Sequence, residues 1–460
     1  MTEPARVAVI GVGASGALAA THLLGAAVEH RRRLRLVLVD RGGEFGPGVA
    51  YRTTDPEHLL NTPAGKMSAL DDDPGHFVRW SRARGWEAGD GTFLPRGDYG
   101  RYLTETLVAE ERRAAGVATV ERVTATAVGL ATDEGGVTVE LDGPGPIRAD
   151  TVVLAPGAGH GDPLAGLLPG GADRYVADPW RGAGPEAATD GSPVLVLGTG
   201  LSMMDIAVSV TRAHPETVVH AVSRHGLLPR PHRSGRASEA VSVPEPPEQL
   251  DSLRDLLGYA RRCLAREPEH WREFVDRMRP HTARLWRQLD LGERRRFLDR
   301  VNRFWDVHRH RAAPATHHRI RELLRSGRLR LHRGRVERVR PTTTGFDVGL
   351  ATPSGSRKLP VGWLVNATGF RPEVRDDPDP LLRRLFTEGT AKPDPIGLGM
   401  ATGRDGRVLG RHGDGRRIYT LGALRRGEEF ESTAVPEIRS QAAAIAAATV
   451  GAREEEVTRR

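Results

Sequence analysis

The chain has 460 residues, 38% hydrophobic and 27% charged, with 54 Gly and 32 Pro; that length calls for two or three domains and excludes a fibre, a coiled coil or a wholly disordered chain. Lys and Arg outnumber Asp and Glu by 67 to 59, a net +8, yet residues 251–340 alone carry 25 Arg against 12 acids, so the remainder is slightly acidic. The basicity is one segment's property, which argues against nucleic acid as a partner, and a single cysteine, Cys263, excludes an intramolecular disulfide, a CxxC redox pair and a cysteine-based metal site.

The N-terminal MTEPAR leads directly into a strand pattern without a signal-peptide core, and no apolar run approaches the roughly 18 residues of a membrane helix. A cytoplasmic protein with no membrane partner is the expectation. Val7–Ile10 is a continuous apolar run of the kind that forms a parallel strand covered on both faces. Gly11, Gly13 and Gly16 follow as G-x-G-x-x-G, with Ser15 between them, ahead of an alanine-rich helix. The first glycine turns the chain, the second admits a pyrophosphate to the backbone and the third lets helix and strand pack closely. A second strand, Leu36–Val39, ends in Asp40, placed for an adenosine ribose. After the strand 151–154 the chain turns at Pro156-Gly157, and the Gly/Pro-rich stretches 159–171 and 178–193 read as crossing connections.

The pattern then repeats. Val194–Leu197 leads into Gly198-Thr199-Gly200-Leu201-Ser202-Met203, with Met203 where the third glycine would stand. Gly198 and Gly200 can still cradle a pyrophosphate, Ser202 and the helix start add donors, and helix and strand should pack less closely. The next strand, Val218–Val222, ends in Ser223-Arg224 with no carboxylate. A cation there suits the 2′-phosphate of NADP; the plain reading of Arg224 is a solvated loop arginine. From about 244 to 328, Leu, Trp and Phe recur at helical spacing with many Arg outside, a helical insertion in the second unit. Its histidines, His308, His310, His317 and His318, invite a metal, but no HExxH pattern or fitting carboxylate accompanies them and no metal is expected; on one helix His310 and His317 would share a face. The strand Trp363–Asn366, closing on Thr368-Gly369, repeats 151–157, and the tail 450–460 reads as frayed.

These residues resemble two-dinucleotide-binding-domain flavoproteins, in particular the FAD/NAD(P)-binding proteins similar to flavin-dependent N-hydroxylating and urate-hydroxylating monooxygenases. The resemblance is carried by the glycine turns, by Gly46-Pro-Gly48-Val-Ala-Tyr51, by Asn61-Thr-Pro-Ala-Gly-Lys-Met67-Ser68, by Trp305-Asp-Val-His308-Arg309-His310-Arg311, by Asn366-Ala-Thr368-Gly369-Phe-Arg-Pro372, and by Tyr419-Thr-Leu-Gly422 continuing to Glu431-Ser-Thr-Ala434-Val-Pro436. It implies an α/β fold of two Rossmann-like domains. Residues 1–185 would begin the FAD-binding domain, 186–345 would form the NADPH-binding domain with its insertion, and 346–460 would return to complete the first.

It further implies that Gly11, Gly13, Ser15, Gly16, Asp40, Arg41, Gly46, Gly48 and Asn61 bind FAD, with Thr368, Gly369, Gly422 and Ala434 closing the cofactor sites, and that NADPH docks at Gly198, Gly200, Ser202 and Arg224. A helix starting near Ala434 would stabilise negative charge on reduced flavin. Asn61, Met67, Trp305, His308, Arg309 and Arg311 are candidates for a substrate pocket, Arg being suited to an anionic substrate; a packed basic helix with Trp305 in its core is the bland reading. The expected activity is NADPH-consuming monooxygenation of a small nitrogen-containing or anionic substrate by molecular oxygen through a C4a-(hydro)peroxyflavin. An NAD(P)H reductase serving a partner or quinone, and a flavin-bearing redox sensor, stand as alternatives. A homo-oligomer is left open.

Overall fold

A computed structural model describes residues 3–157, 159, 161–168, 172–180, 190–233, 243–265, 267–369, 373–411 and 413–451. Parts of both crossing connections, Phe370 to Pro372 and most of the expected tail lie outside the described residues. The first unit contains β1 (Ala5–Ile10), β2 (Leu34–Asp40), β3 (Ala118–Thr124), an antiparallel trio of β4 (Ala127–Asp133), β5 (Gly136–Leu141) and β6 (Ile147–Ala149), and β7 (Thr151–Leu154). The second contains β8 (Tyr175–Val176), β9 (Val194–Leu197), β10 (Val219–Ser223), β11 (Leu329–Arg333), an antiparallel trio of β12 (Arg335–Thr342), β13 (Gly345–Thr352) and β14 (Gly355–Val361), and β15 (Trp363–Asn366). The chain then returns to the first unit with β16 (Arg407–Gly410) and β17 (Gly413–Thr420).

The first main sheet runs β16-β17-β7-β1-β2-β3 and the second β11-β10-β9-β15-β8. Apart from the antiparallel pair β16–β17, neighbours in both sheets are parallel. Their central strands are apolar because both faces are covered, one by helices and the other largely by an antiparallel trio. The helix Ala14–Glu29 is rich in Ala and Leu because it is buried nearly all round, between the first sheet and the helices Arg96–Arg113 and Val435–Ala446. In the second unit the helices Leu201–Ala213 and Pro314–Arg325 cover one face and the antiparallel trio the other. No helix among the described residues is long and apolar enough to cross a membrane.

Both expected domain boundaries shift. The second sheet takes β8 from ahead of residue 185 and β15 from beyond 345, and the separate trio β12-β13-β14 packs on it. A parallel strand is placed by its pairing: Leu364 stands beside Tyr175 and Leu195, which holds β15 in the second unit. The insertion is also shorter than expected. Pro314–Arg325 packs on Leu201–Ala213 and leads into β11, so it is the crossover helix of the second unit. His310 caps the helix Asn302–Arg309 whereas His317 lies on the next one, so the shared face expected for them does not exist.

A buried polar network joins the units. Arg212 holds Asp55 through two bonds of 2.6 and 2.7 Å, and Ser209 donates to the same carboxylate at 2.6 Å. His58 Nε2 lies 2.7 Å from Ser209 Oγ and its Nδ1 2.7 Å from Thr53 Oγ1. With the serine proton committed to Asp55, His58 donates from Nε2 and accepts at Nδ1, which fits a neutral ring; burial pushes its pKa down. Beside it Arg96 pairs with buried Asp205 at 3.1 Å and lies over Trp180.

A histidine pair makes the second unit acid-sensitive. His220 Nδ1 and His332 Nε2 meet at 2.9 Å between β10 and β11, and desolvation followed by His332 and Arg330 pushes His220 down to about 4. One ring donates and the other accepts, an arrangement that cannot survive protonation of both. Unfolded histidine protonates near 6.5, so between those values the unfolded chain binds the extra proton and stability falls as pH falls through 6.5. Thermal unfolding should show a loss of about 2 kcal/mol by pH 5, roughly 4–8 °C in Tm, and His220→Asn should flatten that dependence.

Candidate functional site

The two glycine turns occupy equivalent places. Gly11 follows β1 at φ +84°, where a Cβ would lie 2.4 Å from the Ala155 carbonyl oxygen; Gly198 follows β9 at φ +112°, where a Cβ would lie 2.3 Å from that of Ala367. Gly16 must also lack a side chain, since its Cβ would stand 2.0 Å from Gly11 O. Beyond the first turn, Gly13 and Gly48 face each other backbone to backbone, a Cβ on Gly13 falling 3.1 Å from Gly48 Cα. Gly46 (φ +147°) donates to Val12 O at 2.8 Å and brings this segment to the turn. Gly13 caps the helix Ala14–Glu29 without a side-chain hydrogen bond, and Gly200 does the same for Leu201–Ala213. Uncapped N–H groups at a glycine-lined helix start fit the phosphates of a dinucleotide.

Asp40 shapes the first turn. One carboxylate oxygen accepts from Val12 N–H at 2.9 Å and the other from Gly42 N–H at 2.8 Å. Each oxygen retains a lone pair, which suits a ribose hydroxyl. Arg41 lies 3.6 Å from Asp379. On the returning segment, Gly422 (φ +71°) leaves only 2.9 Å between a would-be Cβ and Ser15 Oγ, donates to Gln441 at 2.8 Å and accepts from Ser432 at 2.8 Å. Ala434 then caps the helix Val435–Ala446, with Pro436 in its first turn. The structure thus brings Gly11, Gly13, Ser15, Gly16, Asp40, Gly46, Gly48 and Gly422 to one edge of the first sheet.

Around the second turn, Gly200 has open space where a Cβ would be, and Met203 is buried in the second core. Ser202 sits in the first helical turn, half-buried. Thr199 Oγ1 ties the turn to Leu227 O at 2.6 Å and to Ser223 Oγ at 2.9 Å. Thr368 N–H and Oγ1 are held by Asn366 at 3.1 and 2.7 Å, and Thr368 and Gly369 are exposed. Arg224 is exposed and has company the sequence did not reveal. After desolvation, Arg303, Arg224, Arg333 and Arg335 are what pulls down the His225 pKa. None of these four arginines has an ion pair among the described residues. The helix Asn302–Arg309 brings Arg303 here because Arg230 N–H bonds Val307 O at 2.8 Å.

The substrate-pocket candidates divide. Asn61 is exposed, and its carbonyl lies 2.9 Å from His232 Nε2. Met67 is only 2% exposed and belongs to the first core, so it is packing. Trp305 donates to Glu431 at 2.7 Å, and His308 bonds Phe304 O at 2.7 Å and packs edge-on against Trp271. Arg309 lies 2.8 Å from Glu431, Arg311 pairs with Asp276, and Arg279 holds Glu437 through bonds of 2.6 and 2.7 Å. Trp305, Arg309 and Arg311 therefore serve ion pairs and packing that seat the insertion, Trp305 and Arg309 joining it to the start of the C-terminal helix. Lys66, lowered by desolvation and by Arg279, Arg311 and Arg309 against Asp276, lies at the rim of this cluster. Lys66, Arg279, Glu431 and Glu437 were missed because nothing in their spacing announces neighbours more than 120 residues away.

Residues 8–159 match the family model described as FAD-NAD(P)-binding. Ornithine hydroxylase from Pseudomonas aeruginosa is 16% identical with a TM-score of 0.65, covering 97% of this chain and 99% of that one. L-lysine 6-monooxygenase from Pseudomonas syringae is 18% identical with a TM-score of 0.63, covering 98% and 100%. Thioredoxin reductase from Lactococcus lactis is 11% identical with a TM-score of 0.54, covering 97% and 98%. No curated protein matches the sequence. The likeness to these structures establishes the shared fold of two Rossmann-like domains.

Proposed function

We propose, for a chain whose residues 8–159 match an FAD-NAD(P)-binding family model and whose fold is shared with N-hydroxylating monooxygenases and disulfide reductases, an FAD-dependent, NADPH-consuming monooxygenase of a small nitrogen-containing or anionic substrate. The observation that carries the choice is the lone Cys263, part of the small core of the insertion. Disulfide exchange through a protein dithiol needs two cysteines, whereas oxygen insertion needs none.

Bound FAD would supply hydride acceptance and oxygen activation. Gly11, Gly13, Gly16 and Gly48 would take its pyrophosphate against uncapped N–H groups and Asp40 its ribose, while the helix start at Ala434 supports negative charge. Gly198, Gly200 and Ser202 would hold the NADPH pyrophosphate, with Arg224 on the 2′-phosphate. The ion pairs of Arg279, Arg309 and Arg311 keep the insertion seated and exclude water, and Lys66 adds positive charge suited to an anionic substrate.

The deciding experiment supplies labelled oxygen and NADPH with candidate amines. Product carrying one labelled atom supports the proposal. NADPH-driven reduction of a quinone or protein acceptor with no label in product would sink it and favour a reductase. A narrower expectation concerns Arg224→Gln: the KM for NADPH should rise about 10- to 100-fold, the value of one or two charge-assisted hydrogen bonds, with little change for NADH.

A further inference from the structure

A groove of about 460 Å³ lies between the insertion and the crossover helix Pro314–Arg325. Its wall along that helix is His317, Arg321 and Arg325, spaced four apart so that they share one face over about 12 Å. Ile320 and Leu323 bury the opposite side. Across the groove stand Arg233 and Arg272, and its other end is His232, whose ring bonds Asn61 of the first unit. No carboxylate lines it.

Two neighbouring acids pair with lining residues, Glu273 at 2.9 Å from Arg233 and Glu322 at 3.2 Å from His318 and from Arg319, and Asp276 pairs with Arg311. This leaves the charge of Arg321 and Arg325 and of the half-buried Arg272 unmatched by a carboxylate of the lining. Arg321 and Arg325 have no ion pair among the described residues. Arg272 is fixed rather than free: Nε and Nη2 both donate to Pro231 O at 3.1 Å, and its guanidinium lies 4.2 Å over Trp271. Desolvation and then Arg311 and Arg233 weaken its hold on its proton. His317 is likewise lowered, by desolvation and then Arg321, Arg230 and Arg272. Like charges held together in a half-buried groove repel one another, and an anion there relieves that cost.

We infer that this groove is a binding site for a small polyanion, a ligand with two or more phosphate or carboxylate groups laid along His317, Arg321 and Arg325 with one end toward His232. One compact anion would satisfy one end of a 12 Å track; separated negative groups satisfy all of it. The site is distinct from the arginines around His225, and its existence does not depend on the flavoprotein reading.

The test is calorimetric titration of the full chain, as purified and at low salt, with tripolyphosphate and separately with citrate, NADP⁺ being present in excess to fill its own site. One-to-one binding is expected, weakened at least about tenfold in the exposed double variant Arg321→Gln/Arg325→Gln and unchanged in Arg224→Gln. Binding of tripolyphosphate alone would assign an oligophosphate ligand, and binding of both a polyanion of either chemistry. The inference is overturned if neither probe binds, or if the double variant binds as the parent does while keeping its Tm.

Discussion

Gly13→Ala should yield a folded protein nearly devoid of flavin. At φ −69° and ψ −167° the backbone of Gly13 tolerates alanine, so the substitution adds one methyl group and little strain. That methyl would stand 3.1 Å from Gly48 Cα, in the approach between the two loops that a pyrophosphate requires. FAD affinity should fall on the order of 100-fold, about 2.7 kcal/mol, seen as lost visible absorbance per mole of protein, with Tm shifted by only a few degrees. Gly16→Ala is the contrast. Its Cβ would meet Gly11 O at 2.0 Å, so strand and helix must part and the loss should appear as unfolding. A Gly13→Ala protein that retains a full complement of flavin would place the pyrophosphate elsewhere.

Asp55→Ala should cost about 3 kcal/mol, since it removes the buried carboxylate that accepts from both Ser209 and the exposed Arg212 and leaves buried Ser209 without its acceptor. Asp55 is held below the ordinary carboxylate range even though desolvation opposes this, because Ser209, the Glu57 N–H and Arg212 all favour the charged form. Scanning calorimetry should show Tm lowered by roughly 6–12 °C. Because Asp55 belongs to the first unit and Ser209 and Arg212 to the second, the loss should separate one transition into two. A single transition at the parent temperature would remove this network from the interface.

The parts legible in the sequence were those encoded by local pattern. Apolar runs ending in glycine announced β1 and β9, and Gly11 and Gly198 do occupy the same position against Ala155 and Ala367. Asp40 stands out in the sequence by its strand-end position, and the structure shows it bracing Val12 and Gly42. What stayed hidden is set by long-range pairing. The placement of β8 beside β15 depends on strand neighbours nearly 190 residues apart, and Arg279 looks like any other arginine until Glu437 is opposite it. Met67 failed as a pocket residue for the complementary reason: an apolar side chain within a motif reads the same whether it lines a cavity or fills a core.

The return of the chain after β15 also has a consequence for biosynthesis. β17 pairs with β7, and the helix Val435–Ala446 covers Ala14–Glu29, so the first sheet lacks its last strands and one covering helix until about residue 446 has been made. The second unit is complete by β15, some 50 residues before β17 begins. The unit begun first is therefore finished last, and the nascent chain must carry an exposed apolar face on its N-terminal portion while the middle portion folds. Truncation after β15 should then yield a chain that aggregates through Ala14–Glu29, and a protein cut within 1–160 cannot serve as a minimal flavin-binding fragment.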